Sequence, residues 1–270
     1  MFRRCTSADH EKIMEFLLEE RAMNLFIIGD IENFGYEADF QDIYAQFDNT
    51  GEIEGVLLRY QNSYIPYAKS VIDLTKMIEV ISADPELMMV SGKDEIVSSI
   101  QQLIPLNKVK LTYFAELKDS LSIQEVTLDY PVKKATLDEV ERVFELQEQI
   151  KEFNFSSASK QSFIRTLESK TGRSFYIENE AGNILSIAST TAENQYSGMV
   201  VGVCSHPSER QKGLASIVMT ELCKVLLSEG KSLCLFYDNP KAGRIYKRLG
   251  FKDIGMWRMA YPKEQSPSDI

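Results

Sequence analysis

The stretch Val200-Val201-Gly202-Val203-Cys204-Ser205-His206-Pro207-Ser208-Glu209-Arg210-Gln211-Lys212-Gly213-Leu214-Ala215 decides the reading of this chain. Its first residues form an apolar, β-branched run that suits a buried strand. A short basic loop with a glycine follows. From Leu214 the apolar residues recur at Ile217, Val218, Leu222, Val225 and Leu226, which is one face of a 3.6-residue helix. Gly230 lies just past the predicted end, where a left-handed cap is expected. The start of such a helix offers free N–H groups and about half a unit of positive charge, a favourable place for phosphate. Arg210 and Lys212 add cations, and Gly213 removes the side chain that would block approach to the backbone.

Downstream, Leu233 to Tyr237 reads as a buried strand. Asp238-Asn239-Pro240 opens the last helix, with Asn suited to the cap and Pro to the first helical position. Gly250 ends that helix, Phe251 folds back on it in a Schellman close, and Met256 to Tyr261 closes the pattern as a strand. Arg210-x-x-Gly213-x-Ala215 after a strand ending Ser-x-Pro resembles the acetyl-CoA signature of the GNAT superfamily of N-acetyltransferases. Asn239 and Ile245-Tyr246-Lys247-Arg248-Leu249-Gly250-Phe251 resemble the end of the same domain, and the likeness covers residues 131–262.

That resemblance implies a division of labour. The signature strand would bond pantetheine through the backbone of Val201, Gly202, Val203 and Ser205. The diphosphate would meet N–H groups of Arg210, Gln211, Lys212, Gly213, Leu214 and Ala215. Asn239, which also reads as a plain helix cap, would bond the pantetheine arm. Tyr246 would be the general acid, because a phenol titrates near pH 10, keeps its proton at neutral pH and can give it to a thiolate. The competing reading makes Tyr246 a packing aromatic. Cys204 lacks an obvious activating histidine, and the family transfers directly. Many relatives place a basic Glu on or before the signature strand, yet Gln195 to Val203 holds no carboxylate and Glu193 lies upstream. The helix-end cations Lys241, Arg244, Lys247 and Arg248 read best as a solvated face.

The rest of the chain fits a tandem duplication. Phe2 to Thr6 precedes an acidic amphipathic helix with Ile13, Phe16 and Leu17. Val132 to Thr136 precedes another, with Val143, Leu146, Ile150 and a capping box of Thr136 with Glu139. Hairpins then follow in both halves, one turning at Asn49-Thr50-Gly51 and the other at Ala181-Gly182-Asn183. The first half lacks the basic glycine loop and has Lys69-Ser70-Val71-Ile72-Asp73 in its place. Glu86 to Val90 reads as a strand and Ser91-Gly92-Lys93 as the start of a helix. Lys108 to Leu117 reads as that half's last strand. The expected fold is α/β: two tandem GNAT-like domains, each a mixed, mostly antiparallel sheet flanked by helices. A degenerate domain spans 1–127, a competent one 131–262, and 263–270 is a loose tail. The join contains an alternating piece, Ile123 to Leu128.

Size and composition agree. A chain of 270 residues suits two ordinary domains, and 44% hydrophobic with 26% charged residues is a globular composition. A net charge of −10 argues against nucleic acid as a partner. Cys5, Cys204, Cys223 and Cys234 form no Cys-x-x-Cys pair and there are two histidines, so no metal is expected and a reducing cytoplasm is. No apolar run is long enough for a membrane span. The expected function is acetyl transfer from acetyl-CoA to a primary amine on an unidentified small molecule or peptide. A non-catalytic acyl-CoA sensor or scaffold is the rival. Acyl-chain preference is open, and a homodimer is compatible with the sequence.

Overall fold

The computed structural model describes residues 1–119, 130–150 and 157–262. The chain divides into two compact units. Of the described residues, unit 1 holds Met1–Phe114 together with those from Ile254 to Pro262, and unit 2 runs from Ala115 to Asp253.

In unit 1 the elements are β1 (Phe2–Arg4), α1 (His10–Leu18), α2 (Leu25–Phe34), β2 (Gln41–Phe47), β3 (Ile53–Tyr60) and β4 (Ser63–Ala68). Then come α3 (Thr75–Ser82), β5 (Met89–Lys93), α4 (Asp94–Gln101) and β6 (Leu106–Leu117), whose residues to Phe114 lie here. The last strand, β12 (Lys252–Pro262), joins them from Ile254. The strand order is β1-β2-β3-β4-β5-β12-β6. Neighbours β1 to β4 pair antiparallel, β4 and β5 parallel, and β5 and β12 antiparallel. Met77 and Ile81 of α3 and Val97 and Ile100 of α4 are buried with Leu57, Val90 and Ala260 of the sheet.

In unit 2, β7 (Lys133–Lys134), α5 (Val140–Glu148), α6 (Ser157–Glu168), β8 (Ser174–Glu178) and β9 (Ile184–Thr191) lead to β10 (Ser197–Ser205). Then follow α7 (Leu214–Ser228), β11 (Ser232–Tyr237) and α8 (Pro240–Arg248). The strand order is β7-β8-β9-β10-β11, with the end of β6 beside β11. One core lies under α7, where Leu214, Val218, Leu222 and Leu226 meet Leu233 and Leu235. Each such leucine contributes about 2 kcal/mol by leaving water. A second core joins Val143 and Phe144 of α5 to Tyr176 and Ile187.

The duplication is visible in these two orders. Both copies run strand, 3-10 turn and two helices, then hairpin, strand, helix, strand and helix. Both first helices open on a capping box, with Thr6 N–H donating to Asp9 (3.0 Å) and Thr136 N–H to Glu139 (2.7 Å). Both hairpins turn on a left-handed glycine, Gly51 and Gly182.

The contiguous division 1–127 and 131–262 gives way to a different one, since the closing strand from Ile254 lies in unit 1 and Ala115–Leu117 lie in unit 2. Ser91-Gly92-Lys93 is the end of β5, with Lys93, Gly92 and Ser91 opposite Trp257, Arg258 and Met259, and it leads directly into α4, whose N-cap is Lys93. A Cβ on Gly92 would stand 3.0 Å from the Pro66 carbonyl, so the glycine serves close strand approach. The Ile123 to Leu128 piece, the onset of the α6 pattern at Phe155-Ser156 and the 263–270 tail lie outside the described residues.

Candidate functional site

The site of interest in unit 2 begins where two parallel strands part. β10 and β11 pair only at Ser197–Ser232, Gly198–Leu233 and Met199–Cys234. Both strands continue, β10 to Ser205 and β11 to Tyr237, so a seam opens between them. Beyond Met199, β10 stays paired with β9 on its other edge, through a bulge between Val201 and Cys204. Gly202 sits in that bulge at φ 63°, a conformation that suits glycine. The bulge re-aims the side chains: Val203 packs toward the α7 core, while Cys204 is buried in the α5 core. Val201 is exposed, and the Ser205 hydroxyl lies 2.9 Å from that of Ser186.

The loop after β10 leads to the start of α7. The His206 ring accepts from Ser208 N–H and so caps the 3-10 turn Pro207–Glu209. Arg210, Gln211, Lys212 and Gly213 are exposed, and the Lys212 amine stands 2.9 Å from Glu209. Gln211 at φ 68° and Gly213 at φ 84° are both left-handed, which coils the backbone just ahead of the helix. Gly213 occupies the N-cap, and no side chain caps α7. The first N–H groups of a 15-residue helix therefore open onto the loop without a side-chain acceptor. Leu214 is buried as the anchor of the first turn, and Ala215 is half-buried. At the far end Gly230 N–H donates to Leu227 and Lys231 N–H to Leu226, the two bonds of a Schellman close.

The last helix places the tyrosine. Asn239 caps α8 by accepting from Lys241 N–H at 2.9 Å, and Pro240 fills the first position. Gly250 N–H donates to Lys247 and Phe251 N–H to Tyr246, so the expected Schellman close forms. The buried residue of α8 is Gly243: a Cβ there would come within 2.5 Å of the Tyr237 ring. This glycine lets α8 lie against β11. The Tyr246 ring is half-buried on the α7 core, 5.9 Å from Tyr237 and 6.1 Å from Phe251. No described residue hydrogen-bonds its hydroxyl. Burial pushes its phenol above the usual tyrosine value, so it is protonated at neutral pH.

The other side chains weighed from sequence have structural settings. Glu193 is buried and bound by Arg173 (2.6 Å), Lys231 (3.2 Å) and the Thr190 hydroxyl. Burial raises its pKa, but Arg173 and the other donors outweigh this and hold it below the usual carboxylate value. All four cysteines are buried and none forms a disulfide among the described residues, and burial pushes the Cys223 thiol up to about 12. Lys241, Arg244, Lys247 and Arg248 are exposed, and Lys247 pairs with Asp253 at 2.9 Å. Among the described residues no group of three or more His, Cys, Asp or Glu could hold a metal. No described helix is long and apolar enough to cross a membrane.

Unit 1 repeats the parting of strands but not the loop. β4 and β5 pair only at Ser63–Met89 and Tyr64–Val90, and a cavity of about 630 Å³ lies beside Ala68, Lys69, Ile72, Lys93 and Ile254. Asp73 takes the place where an anion would sit at α3, its carboxylate accepting from Thr75 N–H (2.9 Å) and hydroxyl (2.6 Å). A phosphate there would meet a carboxylate already bonded to the helix start.

Residues 66–260 match the family model described as GNAT acetyltransferase, and the chain belongs to that family. No curated protein matches it. Among solved structures it is similar to a Drosophila protein, with a TM-score of 0.70 at 8% identity over 98% of this chain and 99% of the other. A GCN5-related N-acetyltransferase from Sphaerobacter thermophilus gives 0.62 at 14% identity, over 96% and 94%. A tandem GNAT protein from the clavulanic acid biosynthesis pathway gives 0.59 at 13%, over 96% and 97%. At these identities the likeness is one of fold.

Proposed function

We propose that unit 2 binds acetyl-CoA and transfers its acetyl group directly to a primary amine in a ternary complex. The observation that carries this reading is the open seam between β10 and β11, leading to an uncapped α7 behind left-handed Gly213. An extended thioester arm fits such a seam, because the β10 backbone from Val201 to Ser205 is paired on its β9 edge only. Val201, Gly202, Val203 and Ser205 offer the arm backbone hydrogen bonds. Arg210, Gln211, Lys212, Gly213, Leu214 and Ala215 surround the diphosphate with N–H groups and cation. The Asn239 oxygen is engaged in its cap, which leaves its NH₂ to reach the arm. Membership of the GNAT acetyltransferase family supports the acetyl group as cargo. The acceptor is an amine of a small molecule or peptide, and four cysteines outside any disulfide fit a reducing cytoplasm.

In the transfer the amine nitrogen attacks the thioester carbon, the carbon–sulfur bond breaks, and Tyr246 gives its proton to the departing sulfur. Its raised pKa keeps that proton available through the neutral range. Calorimetry with acetyl-CoA, and a thiol-release assay over a panel of primary amines, test this. Wild type is expected to bind one acetyl-CoA and release thiol. Tyr246→Phe is expected to lose about a hundredfold in kcat with the affinity for acetyl-CoA unchanged. Absence of coenzyme A uptake by folded protein would overturn the reading. Uptake without release for every amine would favour the acyl-CoA sensor instead.

A further inference from the structure

Unit 1 carries a polar node at the fork of its two parallel strands. β4 and β5 pair last at Tyr64–Val90, and Pro66 brings no N–H with which to continue the ladder. Past the fork β4 runs on to Ala68 and β5 to Lys93. Three elements each send one polar group to this place. Glu20, from the turn after α1, accepts on Oε2 from the Tyr67 hydroxyl of β4 at 2.7 Å and from the Lys93 amine of β5 at 2.6 Å. Tyr67 is buried, so its hydroxyl holds the carboxylate from within the fold. Burial raises the Glu20 pKa, but Lys93 and Tyr67 outweigh this, and the group is ionised at neutral pH.

The node is only half used. Both donors share Oε2, and no described donor reaches Oε1 of Glu20. The Lys93 ammonium carries three hydrogens, and among the described residues only Glu20 accepts from it. Glu20 and Lys93 both line the cavity of about 630 Å³, so a spare acceptor and spare N–H groups stand side by side on its wall. Ile72, Leu74, Ile96 and Ile254 give the same cavity an apolar lining, and its volume is that of a small-molecule site. Lys69, also on the lining, is held by Glu19 and lies over the Phe16 ring.

The charges select the ligand. Asp73 at the start of α3 repels phosphate, so the cavity is no second copy of the seam in unit 2. A ligand with a negative group alone would set it against the free oxygen of Glu20. One with a positive group alone would set it against the Lys93 ammonium. Adjacent opposite charges on one small molecule answer both, and each is then paired as it leaves water.

We infer that this cavity binds a free α-amino acid with an apolar side chain. Its ammonium donates to Oε1 of Glu20, its carboxylate accepts from the Lys93 amine, and its side chain lies among Ile72, Leu74, Ile96 and Ile254. The site is independent of acetyl transfer by unit 2, so the amino acid binds whether or not acetyl-CoA is taken up.

The test is calorimetry on the full chain with L-leucine and L-phenylalanine, alongside two probes that keep the leucine side chain and one charge each. These are 3-methylbutylamine, which has the ammonium only, and 4-methylpentanoate, which has the carboxylate only. At least one amino acid is expected to bind, and both single-charge probes to bind about tenfold or more weakly, the loss expected for one charged hydrogen bond. Glu20→Gln and Lys93→Met are expected to weaken the amino acid by a similar factor. Ser99→Trp, at an exposed position on the cavity rim, is expected to obstruct binding with the ion pair intact and the unfolding midpoint unchanged. It keeps the test decisive if a charge variant fails to fold. No uptake of either amino acid by wild type would overturn the inference. So would equal binding of 3-methylbutylamine and leucine, which would mark a plain cation site, or binding that none of the folded variants weakens.

Discussion

At the scale of single residues, the chemistry divides between side chains the sequence singles out and side chains only the fold reveals. Glu193 shows how the fold explains a residue the sequence left without a role. By position it stands nearest the place of a base, yet Arg173 and Lys231 lock it in a buried ion cluster. Removing one partner of such a cluster is costly, so Glu193→Gln is expected to lose about 3 kcal/mol of stability at neutral pH. Because the folded pKa of Glu193 is depressed, its contribution is present above the unfolded value and is lost as pH falls through the folded one. Urea melts should therefore show the gap between wild type and Glu193→Gln closing below about pH 4. The kcat of the folded variant should stay near that of wild type; a loss matching that of Tyr246→Phe would instead point to Glu193 as a base. The Asn239 cap, the Gly213 turn and the place of Tyr246 on α8 were legible because each carries a local signature, of cap, of turn and of spacing.

At the scale of elements, caps and periods read well and close approaches read poorly. The Schellman ends of α7 and α8 and the two glycine hairpins were legible because each needs particular residues at fixed offsets. The α2 helix escaped notice: its run Leu25-Phe26-Ile27-Ile28-Gly29 is apolar on nearly every side, so no polar face marks a period. The helix entry at Ser91-Gly92-Lys93 was legible, but the close approach of Gly92, as a strand residue, to the Pro66 carbonyl was not. Gly243 went unremarked, although it sets the distance between α8 and β11. A methyl there must push the Tyr237 ring, which lies beside Tyr246 and donates to Asp253 at 2.7 Å. Gly243→Ala is thus expected to lower kcat about tenfold, since small misplacements of reacting groups carry large rate penalties. Calorimetry should show acetyl-CoA still bound; unchanged turnover would mean that α8 accommodates the methyl without moving Tyr246.

At the scale of the whole molecule, duplication was legible from two matches held in one register, but the division of strands was not. Nothing in the residues from Ile254 to Tyr261 says which sheet they enter; Trp257 and Ala260 are simply apolar at strand positions. In the structure they fill the gap between β5 and β6 of unit 1. Separate fragments 1–129 and 131–270 should accordingly each lack a piece of one sheet, leaving unpaired strand edges and a tendency to aggregate. Mixed during refolding, they should recover the circular dichroism and cooperative melt of the intact chain. A lone 1–129 fragment that melts cooperatively at the intact midpoint would contradict this.

The late arrival of β12 also sets a schedule on the ribosome. Unit 1 has most of its residues by Phe114, yet its sheet waits for a strand that begins at Ile254. At ordinary elongation rates that interval lasts roughly 7–30 s. Through it the nascent amino-terminal half must keep β5 and β6 open side by side, which is a natural moment for a chaperone to hold it.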